Sequence, residues 1–128
     1  MPYITYKNIE DEPVIREEQI RNEIATGEEI DWNKVSRYGI LSEDFIREYQ
    51  DKVYWTYISE YQVLSESFMH EFKDRLSWWF ISTYQILTEE FINNHLEYVC
   101  IDDILVYNYK THEALSEDFK LLLRLKNL

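Results

Sequence analysis

The chain repeats itself every 23 residues, and nothing else in it narrows the fold as much. Leu41, Leu64 and Leu87 stand 23 residues apart in matching surroundings. Residues 41–63 read LSEDFIREYQDKVYWTYISEYQV and residues 64–86 read LSESFMHEFKDRLSWWFISTYQI, with 11 of the 23 positions identical. Residues 87–109 keep the apolar skeleton and lose much of the rest. Upstream, IDWNKVSRY (30–38) matches the second half of the unit. Downstream, Leu115-Ser116-Glu117-Asp118-Phe119 restarts the first half five residues later than the period predicts. Self-similarity at such a period means stacked supersecondary units, and copies that decay at both ends read as caps.

Each unit reads as two short helices. Ser42, Ser65, Thr88 and Ser116 are N-cap residue types, followed by acids that complement the helix dipole. Leu stands before the cap and Ile46, Met69 or Ile92 four residues after it, the spacing of a hydrophobic staple. The second helix repeats the pattern: Asp31 and Ser77 precede Trp32 and Trp78, and Ile30/Val35, Val53/Ile58, Leu76/Ile81 and Val99/Ile104 have staple spacing. About eight residues per helix is roughly 12 Å, too short to be stable alone. The helices must therefore be held by packing between units. The expected core is Phe45, Phe68, Phe91 and Phe119, with Trp32, Trp55 and Trp78, then Val35, Ile58, Ile81 and Ile104, then Tyr38, Tyr61, Tyr84 and Tyr107. The fold expected is all-α, a short α-solenoid of two-helix repeats in a single domain. Its hand is not set by the pattern.

Residues 1–29 read as an N-terminal cap, 30–109 as the tandem repeats and 110–128 as a C-terminal cap. Pro13 can open a helix over Val14–Ala25 that Thr26-Gly27 ends. Tyr3-Ile4-Thr5-Tyr6 alternates weakly and reads as extended. Residues 108–114 hold the five-residue insertion and read as a loop. The tail LLLRLKNL extends the last helix and is more apolar than a solvated end should be.

Composition bounds the function. At 45% hydrophobic and 16% aromatic the chain is too apolar for disorder. Gly 2 and Pro 2 disfavour an all-β fold. A net charge of −12 leaves few cations for a polyanion, so direct nucleic-acid or anionic-membrane binding is not expected. One cysteine excludes an intrachain disulfide and fits a reducing, cytoplasmic compartment. No apolar run approaches the roughly 20 residues of a membrane span, and the N-terminus has no signal-peptide core.

The unit Trp-x-x-Ile-Ser-x-Tyr-Gln-x-Leu-Ser-Glu-x-Phe, in WTYISEYQVLSESF (55–68) and WWFISTYQILTEEF (78–91, with Thr88 for Ser), resembles short tandem repeats of bacteriophage, prophage and giant-virus proteins. The resemblance covers residues 30 to about 119 and carries no catalytic motif. It implies a viral or mobile-element origin. Small acidic phage proteins are often inhibitors of host defence, anti-CRISPR proteins among them, an association rather than a chemical argument.

Catalytic and metal constellations are weak. His70, His95, His112 and Cys100 lack paired ligand spacing, and His95 takes the place of Tyr49 and Phe72, so it is expected to pack as an aromatic. Ser36, Ser59 and Ser82 lie beside the core Val or Ile and read as small-residue packing or internal hydrogen bonds rather than nucleophiles. Gly27 and Gly39 are isolated, so no phosphate-cradling loop exists. No enzyme activity, cofactor or metal is expected. Acid pairs at helix starts serve the dipole and solubility. Alternatively, with stacked helices about 8–10 Å apart, they form a negative stripe that occupies a basic, nucleic-acid-binding channel.

Off-consensus aromatics point to an interface. Trp79 falls where other units have Asn33, Thr56 and Asp102; Phe80 and Tyr57 fall where the first has Lys34; Tyr54 replaces a cap residue. Trp79, Phe80, Tyr57 and Tyr54 are the candidate anchors, unless packing between repeats covers them. Glu60, Asp51, Asp74 and Glu71 are the candidates for charge complementarity. The expected partner is a host protein with a basic surface. The alternative is a structural protein that associates with itself through its stack ends.

Overall fold

The structure, a computed structural model, describes residues 14–127. These residues are mostly helical, as the repeat grammar predicts. In order they form β1 (Ile15–Arg16), α1 (Glu17–Ala25), α2 (Trp32–Tyr38), β2 (Gly39–Ile40), α3 (Glu43–Glu48), α4 (Trp55–Tyr61), α5 (Glu66–Glu71), α6 (Trp78–Tyr84), α7 (Glu89–Asn94), α8 (Ile101–Val106), α9 (Tyr109–Ala114) and α10 (Glu117–Lys126). The chain divides into two compact units, residues 1–64 and 65–128. The division falls where one repeat gives way to the next.

The caps form where the spacing placed them. Ser42, Ser65, Thr88 and Ser116 each accept the backbone N–H of the Phe three residues on, at 3.1–3.2 Å. Each such cap contributes about 1 kcal/mol. Asp31 accepts from the Lys34 N–H at 3.1 Å. Tyr54, Ser77 and Cys100 stand at the caps of α4, α6 and α8 without a side-chain bond to their own helix. The tryptophans close the turn between the two helices of a unit: the Trp55 indole donates to the Gln50 carbonyl at 2.9 Å and that of Trp78 to the Lys73 carbonyl at 2.8 Å.

In the first unit Ile20, Val35 and Phe45 form a buried cluster against which Trp32, Leu41 and Tyr49 pack. Ile46 and Ile58 are also fully buried there. In the second unit the buried layer is Phe68, Met69, Ile81, Leu87, Ile92 and Ile104, with Phe91. The expected core therefore holds for three phenylalanines and all four Val/Ile positions. Trp32, Trp55, Trp78, Tyr38, Tyr61, Tyr84 and Phe119 are half-buried instead. Tyr107 is exposed, because α8 ends at Val106 and leaves its ring in the turn before α9.

Two further expectations are corrected. Helix α1 begins at Glu17, not Val14, because Ile15–Arg16 is drawn into a parallel pair with the connector, Ile15 opposite Gly39 and Arg16 opposite Ile40. Beside that pairing a Cβ on Gly39 would lie 2.5 Å from the Val35 carbonyl oxygen, so only glycine fits. Thr26-Gly27 ends α1 as expected, with Gly27 at φ 78. Pro13 and Tyr3–Tyr6 lie outside the described residues. The insertion at 108–114 is not a loop: Asn108 caps α9, accepting from the Thr111 N–H at 3.3 Å. The extra turn holds because Thr111 is fully buried, its hydroxyl accepting the Leu87 N–H at 2.9 Å.

Candidate functional site

Two layers of polar side chains recur in both units, and they differ in what they touch. Within each unit the inner layer ties one repeat to the one before it. Ser36 donates its hydroxyl to the Trp32 carbonyl at 2.7 Å and accepts the Tyr54 N–H at 3.0 Å. Ser82 accepts the Cys100 N–H at 2.8 Å. Ser59 donates to the Trp55 carbonyl at 2.7 Å. All three serines are fully buried, which fits internal hydrogen bonding and leaves them no access to substrate. Helices α4 and α8 thus take their N-terminal anchor from the preceding repeat.

A second rung is an amide. The Gln62 side chain donates to the Ser36 and Gly39 carbonyls at 3.1 and 2.9 Å. Asn108, 46 residues on at the same repeat position, donates to the Ser82 and Gln85 carbonyls at 2.8 and 2.6 Å. A third rung is a carboxylate. Glu17 accepts from the Ser42 N–H and hydroxyl at 2.8 and 2.6 Å; Glu66 accepts likewise from Thr88 at 2.8 and 2.9 Å; Glu89 accepts the Ser116 N–H at 2.6 Å. Burial opposes the Glu17 charge, but the Ser42 bonds and Arg21 outweigh it and hold its carboxyl below the ordinary range. These helix-start acids have a third use that local pattern misses: they cap the cap of the next helix.

The outer layer holds the expected site residues, four in each unit. In the first, Asp51 is exposed in the turn after α3, and Tyr54, Tyr57 and Glu60 lie on or beside α4. Tyr54 is 50% exposed and stacks on half-buried Tyr57 at 6.3 Å between centroids, and Tyr57 meets Tyr61 at 6.1 Å. The Arg37 guanidinium sits 5.0–5.4 Å from the ring centres of Tyr38, Tyr57 and Tyr61. Its Nε is buried with no hydrogen-bond partner among the described residues, and the three ring faces and the Tyr61 hydroxyl hold the cation. Burial pushes the Glu60 carboxyl above the ordinary range, against the hydrogen bond from Tyr61 and the Arg37 charge.

In the second unit Trp79 is 50% exposed and meets Phe80 edge-on at 4.8 Å; Phe80 stacks on Tyr84 at 5.8 Å. Glu71 and Asp74 are exposed, with Asp74 accepting from the Tyr98 hydroxyl at 3.4 Å. His95 packs as the aromatic it replaces, stacked on Phe91 at 4.0 Å. It also bonds His70 at 2.8 Å, ring nitrogen to ring nitrogen, and the Phe91 carbonyl at 2.7 Å. Neither the Arg37 cluster nor this histidine pair was legible from the sequence, since each joins positions of different repeats. The Cys100 thiol is pushed up by burial and by Asp103. Among the described residues no three His, Cys, Asp or Glu side chains are grouped to hold a metal ion, and no helix is long and apolar enough to cross a membrane. No family model, curated protein or solved structure matches this chain.

Proposed function

We propose that this chain is a non-enzymatic, acidic protein-binding module whose helix pairs stack as a short α-solenoid. The observation that carries the reading is Trp79. It is a half-exposed indole backed by Phe80, at a repeat position occupied elsewhere by Asn33, Thr56 and Asp102. A large exposed aromatic at a position that packing does not require is the usual chemistry of an interface anchor. Tyr54 and Tyr57 supply the same chemistry in the first unit. The exposed acids Asp51, Glu71 and Asp74, on a chain of net charge −12, favour a partner with a basic surface of the kind that holds nucleic acid. With the phage-type repeat, this makes the chain an inhibitor of a host defence protein in the host cytoplasm, acting without a cofactor, a membrane or nucleic acid of its own.

The test is a tagged pull-down from bacterial lysate at low and at about 0.5 M salt. A basic partner held at low salt and shed at high salt is the expected result. Recovery of the chain alone at both salts defeats the reading. Trp79→Ala should leave the denaturation midpoint within about 0.5 kcal/mol of wild type and weaken partner binding by roughly 2 kcal/mol. A large loss of stability would put Trp79 in the core.

A further inference from the structure

Helix α10 breaks a rule that the chain keeps everywhere else. Counting from the caps Ser42, Ser65, Thr88 and Ser116, positions five, six and nine are Arg47, Glu48 and Asp51 in the first copy, then His70, Glu71 and Asp74, then Asn93, Asn94 and Glu97. In α10 the same positions are Leu121, Leu122 and Leu125. His70, Glu71 and Asp74 stay exposed although α7 follows them in the same unit, His70 reaching His95 at 2.8 Å and Asp74 the Tyr98 hydroxyl at 3.4 Å, so these are open, polar positions of the repeat. The leucines keep that exposure, at 55%, 51% and 56%. At spacing i, i+1, i+4 they form one stripe, while Leu123 on the opposite side is buried. The inner side of α10 is marked by the buried Leu123 and Lys120, and Asn127 at its end bonds Asp102 of α8.

The charges flanking the stripe say what covers it. Glu117 and Asp118 lie at the start of α10, and Arg124 and Lys126 at its end. On a chain of net charge −12, residues 120–127 carry three cations and no acid. Two such helices laid antiparallel place leucine on leucine at the centre and the acidic start of each beside the basic end of the other. A surface that complements itself about a twofold axis is the requirement for an isologous dimer. We infer that the Leu121, Leu122 and Leu125 face of α10 docks on the same face of a second copy of this chain. One helix pair buries well under the about 1,600 Å² of a standard interface, so the dimer is weak and concentration-dependent. The inference does not rest on the partner reading above, whose anchors lie on α4 and α6.

Sedimentation equilibrium of the full chain from about 10 µM to about 1 mM reads it directly. Wild type should rise from the monomer mass toward twice that value. The triple variant L121N/L122N/L125E, which copies Asn93, Asn94 and Glu97 of the preceding copy, should stay monomeric throughout with unchanged circular dichroism and melting. Asp118→Arg should weaken the dimer, and adding Arg124→Asp should restore it. A wild type that stays monomeric at the highest concentration, or a triple variant that associates like wild type, overturns the inference. So does a double variant that fails to recover, which removes the antiparallel charge match. Co-sedimentation of a monomeric wild type with phosphatidylserine-containing vesicles, lost in the triple variant, overturns it in favour of a membrane surface.

Discussion

The two units are built alike and dressed differently. Each has a buried serine anchoring the helix of the following repeat, a buried amide bonding two carbonyls of the preceding one, and a helix-start glutamate bonding the next cap. What differs faces outward. The first unit surrounds its own cation, Arg37, with three tyrosines, and lays Arg21 over Phe45 while pairing it with Glu48 at 2.9 Å. The second replaces these with Trp79 and Phe80, and with a histidine pair where the first has an ion pair. The comparison teaches that the fold is carried by bonds between repeats and that the outer positions are free to vary.

The largest effect should come from the amide rung. Asn108→Ala removes two bonds to buried carbonyls and the cap of α9. Gln62→Ala removes the bonds to the Ser36 and Gly39 carbonyls without taking a helix cap with them. Chemical denaturation should show losses of about 3 and about 2 kcal/mol respectively; equal losses would mean that α9 is not held by its cap. Next, Trp55→Phe and Trp78→Phe each delete one indole hydrogen bond while keeping most of the ring. Both should lower stability by about 1 kcal/mol, and a clear difference between them would break the equivalence of the units.

The smallest effects are pH-dependent and of opposite sign within the first unit. Glu17 has a folded pKa below its ordinary 4.5, so its contribution is present above that value and fades as pH falls through the folded one. Glu17→Gln should cost about 0.5 kcal/mol at neutral pH and nothing in acid. Glu60 has a raised folded pKa, so its contribution is full below 4.5 and is lost as pH rises through the folded value. Glu60→Gln should therefore raise the neutral melting temperature, with the gain vanishing on acidification. A neutral-pH loss would show that the Arg37 attraction outweighs burial.

Much of the fold was legible because its signals are local. Ser42, Ser65, Thr88 and Ser116 cap three residues ahead, and Phe45, Phe68 and Phe91, each three residues past its cap, are buried. The strand pair was not legible, because Ile15 finds Gly39 only in three dimensions. Neither was α9, whose hold depends on Thr111 reaching Leu87. The amide rung left a trace that could have been read: Gly39, Gln62, Gln85 and Asn108 keep one register, and a polar residue recurring beside core positions needs a buried partner. The site was read only in part. Exposure at Trp79 and Tyr54 follows from their being off-pattern, whereas Arg37 enters the tyrosine cluster from the repeat before it.

Within each unit, the described side-chain bonds between repeats join residues 18 to 27 apart. Loops of such uniform, modest length cost little to close and differ little in cost. Within a unit, a ribosome making this chain would release the second helix pair with its partner already in hand, about 27 residues behind at most. Folding in either unit can keep pace with synthesis, because the described side-chain bonds within it reach back no more than one repeat's neighbourhood.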